Sequence, residues 1–276
     1  FIMGDIKFYC FEANNLSDVI ASPIRLEGDY GDFLNNKDQE IFRQIWQERK
    51  NGQWDGRLGN FWDTQGALSF IGINFRHYDV ISATISLPQR PLSENLYDLS
   101  RASSVGVALY TSDKKLVVQR RGDNILAAGL LDCSAAGMCN LKEGDLEFEE
   151  FLRVRMETEL GLKRSDLIEV SPTNVHDAYG YGGNMVSYKA RTHLSFPELK
   201  ERIDPLLVNE LVPINESELL DFIVESFSTG ELIGDGCATF LSSLEEPAYK
   251  RTVQALRVRG CKISFGELVD GQFVEY

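Results

Sequence analysis

Arg155 and Glu159 stand four residues apart in an otherwise apolar helical stripe, a spacing that brings their side chains together on one face. At about 100° per residue, Phe148, Phe151, Leu152 and Met156 form the stripe, while Glu149, Glu150, Arg153 and Glu157 fall on the far side. A guanidinium and a carboxylate on the core side read either as a partly buried ion pair, neutral or mildly stabilising, or as the floor of a ligand pocket. Gly161 then ends the helix. Two further groups could hold an anionic or aromatic ligand. Arg120 and Arg121 close an apolar run and could grip a phosphate, although alternation along a strand turns one of them to solvent. The stretch 177–184, DAYGYGGN, sets Tyr179 and Tyr181 among glycines. It reads as a plain hairpin, or as a platform on which either tyrosine stacks a nucleobase or sugar while the glycines permit close approach. It lacks the lysine and Ser/Thr of a phosphate-binding P-loop. His77, His176 and His193 accompany no serine or cysteine motif and read as structural.

The elements that must position these residues follow from periodicity. Residues 104–110, SVGVALY, and 115–121, KLVVQRR, predict two strands joined by a turn. Residues 184–194 predict another strand, and 206–214 a strand running into a helix with Asn215 as N-cap and Glu218 as its capping-box partner. Upstream, 6–11 reads as a strand and 37–50 as a helix with Ile41, Phe42, Ile45 and Trp46 inward. Residues 56–85, including GALSFIGINF and HYDVISATI, are rich in aromatic and β-branched residues and read as strands. Residues 237–259 read as one helix, with Leu241, Leu244, Tyr249, Val253 and Leu256 loosely periodic. Two prolines and weak periodicity in 86–101 predict a boundary. The expected units are an N-terminal α+β extension, 1–95, and a second domain, 101–276.

The stretch 129–162, GLLDCSAAGMCNLKEGDLEFEEFLRVRMETELGL, resembles a Nudix box, G-x5-E-x7-R-E-U-x-E-E-x-G-U, where U is a bulky aliphatic residue. Anchored at Gly161, the pattern places Met156 and Leu162 on U positions and Glu159 on the second glutamate of the E-E pair. Val154 stands where the box has arginine, Arg155 where it has its first helix glutamate, and Thr158 where it has the first glutamate of the pair. Upstream, Gly137 and Glu143 satisfy G-x5-E at too long a distance from Gly161, and Gly144-Asp145 is one residue out. The resemblance covers roughly 101–245 and implies a mixed α/β fold, a Nudix-type α/β/α sandwich. It implies Glu159 as catalytic carboxylate and metal ligand and Asp145 as a second metal ligand; Arg120, Arg121, Arg155, Tyr179 and Tyr181 are the candidate ligand-binding residues read from the chain itself. Mg2+ or Mn2+ is the implied cofactor if the protein is active, and none otherwise. The loop 129–137 and the long N-terminal extension are similar to those of the atypical Nudix hydrolases that cleave UDP-sugars.

Arg155 changes the expected chemistry. Magnesium is held by carboxylates, substrate phosphates and waters, so a guanidinium at a ligand position reverses the local charge and puts a fixed cation where the ion would sit. Glu143, Asp145 and Glu147 are alternative acids, although 147–150 is an acidic run of the kind favoured at a helix N-terminus. The implied ligand is a nucleotide or nucleotide-sugar, bound with weak or absent hydrolysis. An active pyrophosphohydrolase with a relocated metal site and a non-catalytic interaction scaffold remain as alternatives.

Composition bounds these readings. The chain has 276 residues, 43% of them hydrophobic, enough for one large core or two modest ones. A net charge of −14 argues against general nucleic-acid binding, which demands a basic surface. Five cysteines without a CxxC pair or zinc spacing fit a reducing, cytoplasmic compartment. No long apolar run reads as a membrane helix or signal peptide. The N-terminal extension either covers one mouth of the pocket or mediates a homodimer.

Overall fold

A computed structural model describes residues 5–10, 16–49, 57–63, 68–84, 87–99, 102–122, 127–139, 147–178, 183–203, 208–269 and 272–276. The first part of the chain runs β1 (Ile6–Tyr9), α1 (Leu16–Ala21), β2 (Ile24–Asp29), α2 (Asn36–Arg49), β3 (Arg57–Asp63), β4 (Ser69–Asn74), α3 (Phe75–Thr84) and α4 (Glu94–Leu99). There follow β5 (Ala102–Tyr110), β6 (Lys115–Arg121), β7 (Leu131–Asp132), β8 (Ala135–Met138), α5 (Phe148–Leu160), β9 (Leu167–Asp177), β10 (Gly183–Thr192), α6 (Phe196–Lys200) and β11 (Val208–Asn215). The chain closes with α7 (Leu219–Ser228), α8 (Gly234–Ser243), α9 (Glu246–Val258), β12 (Ile263–Val269) and β13 (Gln272–Glu275).

The strands form one mixed sheet in the order β13-β12-β1-β9-β10-β5-β3-β4-β2, with β6 and β8 also paired to β5, and β7 and β11 paired to β6. Strand β5 is the hub. It runs parallel to β10 over Ala102–Tyr110 and antiparallel to β8, where Val105 faces Gly137 and Gly106 faces Ala136. Its alternation sorts the core by face. Val105, Val107 and Leu109 pack with Phe148, Leu152, Met156 and Leu160 of α5, whereas Ala108 and Tyr110 pack with Ile223 of α7, Phe240 and Leu241 of α8 and Leu256 of α9. Helices therefore cover both faces, the α/β/α arrangement expected. A third cluster joins Phe42, Leu58, Ile73, Tyr78, Ile81 and Leu96, with Ile41, Ile45 and Trp46 packed against it. Residues 1–95 also contribute to the shared sheet, since β1 lies between β9 and β12 and β3 meets β5 at Asn60 and Ala102.

Three local expectations are corrected. HYDVISAT, residues 77–84, belongs to α3, not to a strand: His77, Ile81 and Thr84 are buried at helical spacing, and the Thr84 hydroxyl donates to the Val80 carbonyl at 3.0 Å. The single helix expected over 237–259 is two, because Leu244 is extended (φ −75°, ψ 150°) and Pro247 opens α9. Proline suits a first helical turn and disfavours helix in the residue before it. Asn215 does begin a helical turn, but its amide donates to the Glu218 carboxylate at 2.7 Å instead of capping a backbone N–H.

Helix α5 forms as its sequence predicts. Its interior has neither glycine nor proline, and Glu149 and Glu150 in its first turn complement the helix dipole. Phe148, Leu152, Met156 and Leu160 are buried at spacings of four. Gly161 closes the helix in the left-handed region (φ 63°), its N–H donating to Glu157 and that of Leu162 to Met156.

Candidate functional site

Strand β8 passes beneath the C-terminal half of α5 and brings the charged pair onto the sheet. The Glu159 side chain is only 12% exposed and accepts a long hydrogen bond from the Ala136 N–H at 3.4 Å. One Arg155 nitrogen lies 3.8 Å from a Glu159 oxygen, an ion pair too long to be a hydrogen bond. Arg155 can lie there because residue 137 is glycine: a Cβ at that position would stand 2.1 Å from Arg155 Nε. Burial pushes the Glu159 carboxyl up to about 7, with Asp132 adding to the rise and Arg155, the Ala136 N–H and Arg121 opposing it. Around neutral pH Glu159 is thus poised between an acceptor and an acid.

A second set of polar groups surrounds the start of α8. Arg121, at the end of β6, forms an ion pair with Asp132 of β7, whose other oxygen accepts the Cys133 N–H at 2.7 Å. Asp235, in the first turn of α8, is pushed up to about 8 by burial and by the charges of Asp132 and Asp177, against Arg121. One Asp235 oxygen lies 3.9 Å from Nε2 of the fully buried His176. Neither atom has a hydrogen-bond partner among the described residues. His176 Nδ1 is 3.2 Å from Ser187 Oγ, which is 2.9 Å from Thr239 Oγ1. Burial lowers the His176 imidazole to about 3, so the ring is neutral. On the adjoining strand end, Asn184 pairs with Asp177 and accepts the Tyr9 hydroxyl at 2.7 Å.

The two sets are electrostatically coupled, because Asp132 and Arg121 act on both Glu159 and Asp235. Together they can accept hydrogen bonds, exchange protons near neutral pH and present guanidinium donors. A cavity of about 530 Å³ lies elsewhere, between α1 and the first turn of α5, lined by Asp18, Glu147, Glu150, Arg164, Pro172 and Tyr188. It includes neither Arg155 nor Glu159.

The structure unites Arg155, Glu159 and Arg121 in one neighbourhood. Arg120 takes another course, its guanidinium meeting Glu210 and Glu231 at 3.2 Å and the Gly129 carbonyl at 2.9 Å. Tyr179, Tyr181 and Asp145 lie outside the described residues. Sequence reasoning missed Asp132, Asp177 and Asp235, and read His176 as structural. The available signals were a lone acid in the small-residue run LLDCSAAG and an aspartate between two glycines at a helix start, IGDGC.

Among the described residues, no group of three or more His, Cys, Asp or Glu is arranged to hold a metal ion. The described part of the box does not fit a divalent ion, since its one inward carboxylate, Glu159, faces the guanidinium of Arg155. No helix among the described residues is long and apolar enough to cross a membrane.

No family model and no curated protein matches the chain. Among solved structures it is similar to the DR0079 protein of Deinococcus radiodurans, at 21% identity and a TM-score of 0.38 over 52% of this chain and 82% of that one. It is similar to the MutT protein of Methanosarcina mazei Go1, at 14% identity and a TM-score of 0.34 over 55% and 92% of the two chains. A Nudix hydrolase of Nitrosomonas europaea aligns at 10% identity and a TM-score of 0.32 over 59% and 92%. The functional reading rests on the side chains themselves.

Proposed function

We propose that this is a Nudix-fold protein that recognises a nucleoside diphosphate-linked compound and hydrolyses it weakly or not at all. The observation that carries the reading is Arg155 lying over Gly137 and facing Glu159, at the position where a Nudix box has a metal-binding glutamate. A phosphate oxygen is a natural partner for that guanidinium, which can offer two parallel N–H donors. Arg121 could add a second positive charge if a ligand drew it from Asp132, and Tyr179 or Tyr181 would supply an aromatic face for the base or sugar. Among the described residues there is no cluster of carboxylates of the kind that activates water on a divalent ion.

A second reading has its own support. Burial raises both Glu159 and Asp235, and Asp132 adds to the rise of each, so Asp132 links two acids that are held partly protonated. Linked acids near a guanidinium would suit an active pyrophosphohydrolase, for example on UDP-sugars, whose metal site is completed by acids outside the described residues.

Thermal unfolding against a panel of nucleoside diphosphates and nucleotide-sugars, paired with product analysis, separates the readings. A ligand at about one hundred times its dissociation constant adds roughly 2.7 kcal/mol to the native state. Stabilisation without cleavage is expected. Rapid cleavage with Mg2+ or Mn2+ would replace this reading with the second, and a flat panel would favour an interaction scaffold.

A further inference from the structure

Helix α5 carries two inward or flanking arginines with different fates. Arg153, on the side of the helix that also bears Glu149, donates from Nε to the Glu149 carboxylate at 3.1 Å and is held there by a second contact. Arg155 has the 3.8 Å ion pair with Glu159 and no side-chain hydrogen bond among the described residues. Its side chain is 40% exposed, so it is neither sealed in the core nor free in solvent. One side of it lies on the bare backbone of Gly137, where a methyl group would meet Nε, Cζ and Cδ at 2.1, 2.5 and 2.8 Å. A guanidinium carries five N–H donors in a rigid fork. Here those donors are positioned by the fold and left unspent.

We infer that Arg155 is the resident cation of this site: it holds the place of a divalent ion, excludes that ion, and binds a diphosphate group directly, with Gly137 as the residue that makes room for it. The inference rests on the proposed diphosphate recognition but goes beyond it, since it fixes how the anion is held and makes binding independent of metal. The charge balance is consistent. With Arg155 beside it, ionised Glu159 forms a neutral pair, and a divalent ion placed there would meet a fixed positive charge within a few ångströms, a repulsion strengthened by partial burial. A Cβ at residue 137 would force the guanidinium off its seat, so Gly137 is a positioning residue whose effect is exerted through Arg155.

Calorimetric titration with inorganic pyrophosphate, once in EDTA and once in Mg2+, together with titration of Mn2+ alone followed by electron paramagnetic resonance, tests this on the wild-type protein without any variant. Pyrophosphate is expected to bind no more weakly in EDTA than in Mg2+, and Mn2+ alone to show no saturable binding. Arg155→Ala and Gly137→Ala should each weaken pyrophosphate by about tenfold or more, roughly 1.4 kcal/mol, while Arg153→Ala leaves it unchanged. Arg155→Glu should create saturable Mn2+ binding. Pyrophosphate binding that requires Mg2+, no pyrophosphate binding in EDTA, saturable Mn2+ binding by the wild type, or an undiminished Arg155→Ala would each overturn the inference. Pyrophosphate binding in EDTA by a protein that binds no nucleotide would leave the inference standing and refute the nucleotide reading, so the two fail separately.

Discussion

At the C-terminal half of α5 a buried carboxylate, Glu159, has a guanidinium beside it; at the first turn of α8 a buried carboxylate, Asp235, faces a neutral imidazole. The first acid is pushed up to about 7 and the second to about 8. Both are desolvated, but Glu159 has its cation on the same helix four residues away, whereas Asp235 has Asp132 and Asp177 as neighbours and shares Arg121 with the former. Charge compensated within one helix is written locally in the chain. Acid gathered where α8 meets β7 and β9 is a product of topology, and among the described residues it leaves Asp235 Oδ1 and His176 Nε2 without hydrogen-bond partners.

The largest effect should come from breaking the link between the two regions. Asp132 is almost fully buried, and Arg121→Met would strand its carboxylate, costing about 3–5 kcal/mol in chemical denaturation. Arg120→Met removes a half-exposed network and should cost no more than about 1 kcal/mol. Equal losses would show that the Arg121–Asp132 pair is not a special tie.

Gly137→Ala should cost about 1–3 kcal/mol through overpacking, and adding Arg155→Ala should restore much of that loss, because the clash is with Arg155 alone among the nearest atoms. Additive losses in the same denaturation series would place the strain elsewhere.

The smallest effect, and the one that best separates the regions, is in the pH dependence. Glu159 and Asp235 have folded pKa values above their unfolded ones, so the folded state retains protons that the unfolded state has released. Their contribution to stability is full below about pH 4 and is lost as pH rises towards about 7 and 8. His176 has the opposite sign: its folded pKa lies below the unfolded value, so its contribution is present above about 6.5 and is lost as pH falls towards about 3. Asp235→Asn should therefore flatten the decline in stability between about pH 5 and 8 while leaving the acid-side loss in place, as read by thermal unfolding across a pH series. An unchanged slope would remove Asp235 from this account.

Much of the fold was legible because its signals are local. Strands β5 and β6, the helix ended by Gly161 and the inward pair Arg155 and Glu159 all follow from periodicity and one glycine. The failures are equally physical. HYDVISATI has strand-like composition, but burial of His77, Ile81 and Thr84 against the neighbouring elements selects a helix, and tertiary packing overrides propensity. Asp132, the adjacent pair His176 and Asp177, and Asp235 are far apart in the chain and come together only because α8 packs against both β7 and β9. No spacing rule links them. Arg120 and Arg121 looked equivalent in sequence, yet the structure gives one to Asp132 and the other to Glu210, Glu231 and the Gly129 carbonyl.

The central claim, recognition of a nucleoside diphosphate-linked compound without efficient hydrolysis, is tested most directly by 31P magnetic resonance of nucleotide-sugars and free nucleoside diphosphates mixed with stoichiometric protein and Mg2+. The diphosphate resonances of at least one compound are expected to shift or broaden on binding while its phosphoanhydride stays intact. Rapid appearance of monophosphate products would contradict that claim and identify a working hydrolase.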